Sequence, residues 1–374
     1  MNRTIRASFP VALSGVYLNT AAVGPLPTST VDAVSAQLND VSENGSSNFD
    51  DWLETKERVR GLVASMLGGR ASDVAFTRNT SDGLCAVASG LDWKAGDNIV
   101  SFASEFPANY YPWRTVRDRF DVELRLCREL NGRIDIDELC SLIDGRTRLV
   151  AVSAVQYSSG FRLDLERIGE VARSRGSLFA VDIIQSFGAM NLDLPSQFVD
   201  IAAGASYKWL CAPEGCGIFY INERARERVA ASSHGWMSVE HPWNFCDRDQ
   251  NTKGDARVWE TGMGGTAMLC GLEASLRLLS ETGLDSIAKY LSELTDFLCE
   301  IAPTTRYDIV SSRADSEKSQ IVCLRPLNGR TSDEIVAQLK REQITVSSRC
   351  GLLRVAPHFF NTFDDIETFV EALP

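Results

Sequence analysis

Short apolar runs alternate with longer amphipathic ones through the first two thirds of the chain, and that alternation leaves few folds open. The runs at residues 74–77, 98–102, 122–126, 148–153, 178–181, 199–203 and 216–221 read as strands. Helical patterns lie between several of them, as at 165–175, where Ile168, Val171 and Ala172 share one face. Strands joined mostly by helical crossovers predict an α/β fold with a seven-stranded, mostly parallel open sheet. In such sheets ligands bind beyond the C-terminal ends of the strands. The residues just past strand ends therefore direct the search for function.

From about Gly265 the texture changes. Runs 266–280 and 285–301 read as helices with Leu and Ile on one side, followed by strand-like runs 308–311 and 320–324. A helix at 332–341, strands at 344–347 and 352–356, and a last helix from Thr362 complete the pattern. The expected organisation is an N-terminal segment at 1–14, a large domain at 15–264 and a small C-terminal α+β domain at 265–374. The Ser- and Glu-rich stretch 311–319 reads as a solvated loop.

Composition narrows the partners. The net charge is −12, and no basic block tracks a phosphate backbone, so nucleic acid and anionic membrane are not expected partners. No apolar run reaches membrane-spanning length. The start, Met1-Asn2-Arg3-Thr4-Ile5-Arg6, is basic, but Pro10 and Gly15 break the next stretch before a signal-peptide core forms. A cytoplasmic location is the expectation. The ten cysteines contain no Cys-x-x-Cys, and His234, His241 and His358 form no ligand cluster with them. No metal site is expected.

Two strand ends carry the chemistry. Asp182 closes the run Leu178-Phe179-Ala180-Val181, and Lys208 lies 26 residues later in Ala205-Ser206-Tyr207-Lys208-Trp209. An amine can form a Schiff base with an aldehyde cofactor, and a carboxylate can keep a pyridine nitrogen protonated. Together they predict pyridoxal 5′-phosphate (PLP). Most lysines are surface residues, and an Asp after a strand commonly caps a helix. Small and apolar neighbours around Lys208, however, favour the lowered amine pKa that a Schiff-base lysine needs.

The cofactor's other handles have candidates too. Thr80 and Ser81 come after the first strand and open a helix, which makes either an anion site or an ordinary cap. Tyr207 offers a phenolic donor to phosphate, and Gln185, three residues after Asp182, can reach the phenolic oxygen. Phe106 lies just past the second strand and reads as a stacking ring or a core aromatic. Arg354 is a charge inside the apolar run Leu352-Leu353-Arg354-Val355-Ala356, to be answered by a substrate carboxylate or by an internal Asp or Glu. Tyr110, Tyr111, Trp113, His234 and Trp236 suggest aromatic walls, or plain packing.

The combination resembles the class V aminotransferase family of fold-type I PLP enzymes, which includes cysteine desulfurases, isopenicillin N epimerase-like proteins and kynureninases. The resemblance runs through residues 17–22, 105–113, 155–164, 181–188, 206–217 and 354–361. It implies Lys208 as the PLP lysine, Asp182 at the pyridine nitrogen, and Gln185 and Gln156 near the phenolic oxygen. It implies Thr80, Ser81 and Tyr207 at the phosphate and Phe106 stacked on the ring. It places Arg354 on the carboxylate of an amino acid substrate, with Asn19 and Ala22 beside it, and implies a homodimer with active sites at the interface.

Three departures bear on the reaction. Cysteine desulfurases carry a nucleophilic cysteine on a long loop well before the substrate arginine, whereas Cys350 stands four residues before Arg354. Their stacking residue is histidine; here it is Phe106. The Glu-x-Gly-Thr motif that reaches the partner's phosphate appears as Glu260-Thr261-Gly262-Met263. The expected reaction is deprotonation at Cα by Lys208 followed by β-elimination of the C–S lyase type. Transamination is next, then epimerisation or kynureninase-like hydrolysis; a PLP-fold binding protein without turnover is the remote alternative.

Overall fold

All seven apolar runs form one sheet in the computed structural model, which describes residues 3–374. Met1 and Asn2, the start of the basic N-terminal stretch, lie outside the described residues. The strands are β1 (Val74–Thr77), β2 (Asn98–Phe102), β3 (Glu123–Cys127), β4 (Thr147–Ser153), β5 (Leu178–Asp182), β6 (Ile201–Ala205) and β7 (Gly217–Ile221). Their order is β1-β7-β6-β5-β4-β2-β3. Only β7 runs against its neighbours; the other pairs are parallel. Because β7 is antiparallel to both β1 and β6, those two point the same way as the rest, and every chain exit that matters lies on one edge.

The central strands read as continuous apolar runs because both sheet faces are covered. Alternate residues go to opposite sides. Val74, Val100, Val150, Val152, Phe179, Val181 and Ile218 join one buried cluster, while Ala75, Ile99, Leu149, Ala151, Leu178, Ala180 and Phe219 join another. The second is closed by α-helices α1 (Thr80–Gly90) and α2 (Tyr111–Phe120), through Leu84, Val87, Trp113 and Val116.

A third cluster, with Leu294, Leu298, Val322, Leu324, Leu353, Val355, Ile366 and Phe369, fills a smaller unit. Its four-stranded sheet contains β8 (Tyr307–Ile309), β9 (Val322–Pro326), β10 (Ser347–Arg349) and β11 (Leu352–Val355), in the order β8-β9-β11-β10. The expected boundary at 265 precedes the helix Thr266–Thr282, whose Leu269, Leu272, Leu276 and Leu279 pack in the large unit's core. The chain start also returns to the small unit: Val16–Tyr17 pairs with Ile344–Thr345, and Leu18 joins its core.

One turn has a direct chemical consequence. β10 and β11 are joined by Cys350 and Gly351 alone, with φ of 50° and 78°. Two successive left-handed residues make the tight primed turn typical of two-residue hairpins. Cys350 therefore sits on a two-residue turn and not on a long loop.

Candidate active site

Asp182 and Lys208 reach the same edge from adjacent strands. Asp182 is the last residue of β5, and the chain leaving β6 continues through Ser206 and Tyr207 to Lys208. The lysine segment is clamped from several sides. The Gly24 N–H donates to the Tyr207 carbonyl at 2.7 Å, and a Cβ on Gly24 would stand 1.8 Å from the Lys208 carbonyl oxygen. Gly188, at φ 98°, passes under Trp209 for the same steric reason. His358 is fully buried, and its Nδ1 accepts from the Phe359 N–H at 2.8 Å. Nε2 therefore carries the ring proton and donates to the Trp209 carbonyl at 2.9 Å. Burial holds this histidine neutral, with its pKa pushed down to about 4.

A cavity of about 600 Å³ opens over these residues, lined among others by Asn79, Thr80, Ser81, Phe106, Asp182, Tyr207 and Lys208. Lys208 Nζ sits 5.6 Å from the centroid of the Phe106 ring. Burial pushes the Lys208 pKa down to about 8, while the Asp182 charge works the other way and those of Arg354 and Arg349 add to the fall. Burial pushes Asp182 up to about 6, against the Ile184 N–H bond of 2.9 Å and the attraction of Lys208. Desolvation wins over mutual attraction at both ends of the pair. A lowered amine and a buried carboxylate facing one cavity are what acid–base chemistry at Cα requires.

Thr80 opens α1, and its Oγ1 is buried with no hydrogen-bond partner. Asn79 caps the helix through the Asp82 N–H at 2.9 Å, and the first-turn N–H groups of Thr80 and Ser81 have no intrahelical acceptor. An orphaned hydroxyl and a positive helix end that face one cavity fit a phosphate. Arg354 does not line this cavity and is 2% exposed, but its charge acts on Lys208. It donates through Nε to Ser347 Oγ at 3.2 Å and through Nη1 to the Tyr157 carbonyl at 2.9 Å, while Nη2 is buried and unpartnered. Among the described residues no Asp or Glu forms an ion pair with it, and desolvation with repulsion from Arg349 lowers its pKa to about 10. Of the two readings of this arginine, the internal carboxylate is not the one found. Asn19 bridges to Ala356, two residues from Arg354, and its Oδ1 is also buried without a partner; Ala22 closes the same turn through its N–H to the Asn19 carbonyl. The residues present fit PLP and an amino acid carboxylate.

Other expected contacts are engaged elsewhere. Gln156 gives Nε2 to the Ser104 carbonyl and accepts through Oε1 from the Ser158 and Ser159 N–H groups. Gln185 donates to the Ala21 carbonyl at 3.0 Å and accepts from the Trp209 indole at 2.8 Å. Neither amide lines the cavity. Trp113 is fully buried and bonded to Asn109, hence core, while Tyr111 and Trp236 are exposed. Glu260 is a buried anchor for Lys56, Arg60 and the Phe76 N–H, and Met263 beside it is exposed.

Sequence reasoning misses Glu105. Its buried carboxyl accepts from Ser153 Oγ at 2.6 Å, from Asn109 Nδ2 at 3.1 Å and from the Phe106 N–H at 3.1 Å. Burial raises its pKa well above the usual carboxylate range, and the Asp182 charge adds to the rise. It fixes the chain that presents Phe106 to Lys208. An acidic residue directly before that aromatic, just past a strand end, is the signal that could have found it.

Comparison with known proteins identifies the family and the fold. The model of the family Aminotransferase class-V matches residues 16–369. A probable cysteine desulfurase of Methanothermobacter thermautotrophicus is 24% identical, covering 99% of this chain and 96% of that one. An uncharacterised aminotransferase of Bacillus subtilis, YcbU, is 22% identical over 98% of this chain and 96% of its own. Among solved structures, apo cysteine desulfurase from Thermococcus onnurineus NA1 superposes with a TM-score of 0.90 at 22% identity, covering 99% of this chain and 97% of that one. The cystine C–S lyase C-DES, in complex with its product cysteine persulfide, gives 0.89 at 22% identity, with 97% and 98% coverage. The fold is that of fold-type I PLP enzymes, and the chain belongs to the class-V aminotransferase family of PLP-dependent enzymes.

Proposed function

We propose that this protein is a PLP-dependent C–S lyase, which removes a sulfur-bearing group from Cβ of an amino acid by β-elimination. The observation that carries this reading is the Lys208 amine, buried beside Asp182 with its pKa lowered to about 8, in a cavity that no cysteine among the described residues lines. When bound, PLP supplies an aldehyde for the substrate amine and a pyridinium ring that withdraws the electron pair left at Cα. Thr80, Ser81 and Tyr207 would hold its phosphate, Asp182 would keep its ring nitrogen protonated, and Phe106 would pack against the ring. Arg354 Nη2 takes the substrate carboxylate, which fixes Cα over the lysine. Lys208 Nζ removes the α-proton, and the C–S bond breaks with both electrons on sulfur. With water, an S-substituted cysteine gives a thiol, pyruvate and ammonia, and no oxidant is needed.

Cys350 supports elimination rather than transfer of sulfur to the enzyme. It sits at the tip of a two-residue turn, exposed, with its thiol 3.6 Å from the Tyr157 hydroxyl. A two-residue turn gives this thiol little of the reach that a long loop would give a nucleophilic cysteine. Sulfur chemistry in the similar desulfurases and C–S lyase supports a sulfur-bearing substrate.

A homodimer with Thr261–Gly265 against the partner fits the exposed Met263 and a second cavity of about 640 Å³ lined by that segment. Ten unpaired cysteines favour a reducing cytoplasm; among the described residues, no helix is long and apolar enough to cross a membrane. The test is to incubate the holoenzyme with cystine and S-substituted cysteines and assay pyruvate and released thiol. S-substituted cysteines should give equimolar pyruvate and thiol, and cystine should give equimolar pyruvate and cysteine persulfide. Sulfur retained on the protein, a keto acid formed only with an amine acceptor, or a D-amino acid product would overturn the reading.

A further inference from the structure

Two guanidiniums share one face of the small sheet, and among the described residues neither forms an ion pair with a carboxylate. In the β10–β11 hairpin, Ser347 pairs with Arg354 and Arg349 with Leu352. Residues directly opposite on antiparallel strands, and those two places along, project to the same side. The bond from Arg354 Nε to Ser347 Oγ shows which side that is. Arg349 therefore stands one diagonal step from the arginine that awaits the substrate carboxylate.

Arg349 is half-buried and donates through Nη1 to the Ser348 carbonyl at 2.7 Å. Among the described residues it forms no ion pair. Glu129, whose charge acts on Tyr157, accepts a hydrogen bond from the Ser104 hydroxyl and forms no ion pair with Arg349. The Arg349 charge reaches the site all the same: it adds to the fall that burial causes in the pKa of Arg354 and Lys208, and it opposes the rise that burial causes at Tyr157. Like charges at this range repel, and part-burial screens them poorly. An α-carboxylate satisfies one guanidinium and leaves the other for a second anion.

We propose that Arg349 is a specificity-determining residue that binds a second anionic group at the far end of the substrate side chain. The preferred substrate is then a dianionic amino acid: an S-substituted cysteine whose leaving group ends in a carboxylate or another oxyanion. The sulfur in that substrate rests on the C–S lyase reading; the second negative charge does not.

A matched pair separates charge from shape. S-Carboxymethyl-L-cysteine and its neutral amide, S-carbamoylmethyl-L-cysteine, differ little in size. The holoenzyme should prefer the acid by about tenfold or more in kcat/KM, the scale of one charge-assisted hydrogen bond. Arg349→Gln should bring the ratio of acid to amide close to one, and Arg349→Lys should keep part of the preference. Calorimetric binding of glutarate against its monoamide gives a readout that needs no turnover, with the same order among wild type and variants. If the dicarboxylate binds preferentially but no thiol is released from either cysteine derivative, the charge inference stands and the lyase reading fails. Elimination from both derivatives at equal efficiency in the wild type, or a preference for the acid that survives Arg349→Gln, would overturn the role given to Arg349.

Discussion

Replacing Arg354 by lysine separates a substrate contact from a structural one, because the two fail differently. Nε and Nη1 of Arg354 are held by Ser347 and by the Tyr157 carbonyl, and Nη2 is the buried nitrogen left free. A lysine keeps the charge but has one nitrogen, which must either abandon those two acceptors or point away from the ligand. A hydrogen bond to a charged group contributes about 1.5–3 kcal/mol, so losing one from the bound state lowers kcat/KM roughly 10- to 150-fold. Folding should suffer less. Breaking a buried ion pair costs about 3–5 kcal/mol because a carboxylate is stranded, and Arg354 has no such partner among the described residues. The assay is kcat/KM for an S-substituted cysteine, together with urea unfolding and cofactor absorbance. Arg354→Lys should fold, stay yellow and lose rate with amino acids more than with the corresponding amines. Unchanged kinetics, or a stability loss of about 3–5 kcal/mol with kinetics intact per folded molecule, would refute the reasoning.

The same geometry sets other outcomes. Cys350→Ser should keep most of the activity; a variant that binds PLP normally but has lost nearly all turnover would restore an enzyme-bound persulfide. His358, neutral and buried with a pKa near 4 against the ordinary 6.5, should couple stability to pH. Between those values the unfolded chain takes up a proton that the folded one refuses, so this contribution is full above pH 6.5 and is lost as pH falls towards 4. The stability difference between wild type and His358→Gln should shrink by about 3 kcal/mol across that window, and a pH-independent difference would contradict the buried neutral ring. Gly24→Ala drives a methyl into the Lys208 carbonyl, so any folded protein obtained should show weakened cofactor retention; normal retention would mean that the lysine segment is not clamped there.

The parts legible in the sequence are those encoded locally. Central parallel strands are covered on both faces, so 149–152, 178–181 and their neighbours stand out as apolar runs, and strand ends lead directly to Asp182 and Lys208. The helix Ser332–Arg341 is readable to the residue because Thr331 and Glu334 form a capping box. The remainder depends on distant partners. Nothing local to Gln156 or Gln185 shows that a turn and an indole consume their amides. His358 looks like a lone histidine until the Trp209 carbonyl arrives from 149 residues away. The helix Thr266–Thr282 has the same amphipathic pattern whichever unit it packs on, so its sequence does not assign it. Arg354 is ambiguous for the same reason: only the assembled site shows that, among the described residues, no carboxylate pairs with it.

The central claim is that Lys208 is the amine that carries PLP. Borohydride reduction of the purified yellow protein, followed by proteolysis and mass spectrometry, tests it most directly. The account predicts that the reduced cofactor adduct lies on the peptide containing Ser206-Tyr207-Lys208-Trp209, and that Lys208→Ala carries none. An adduct on any other lysine, or a protein that never takes up the cofactor, would contradict it.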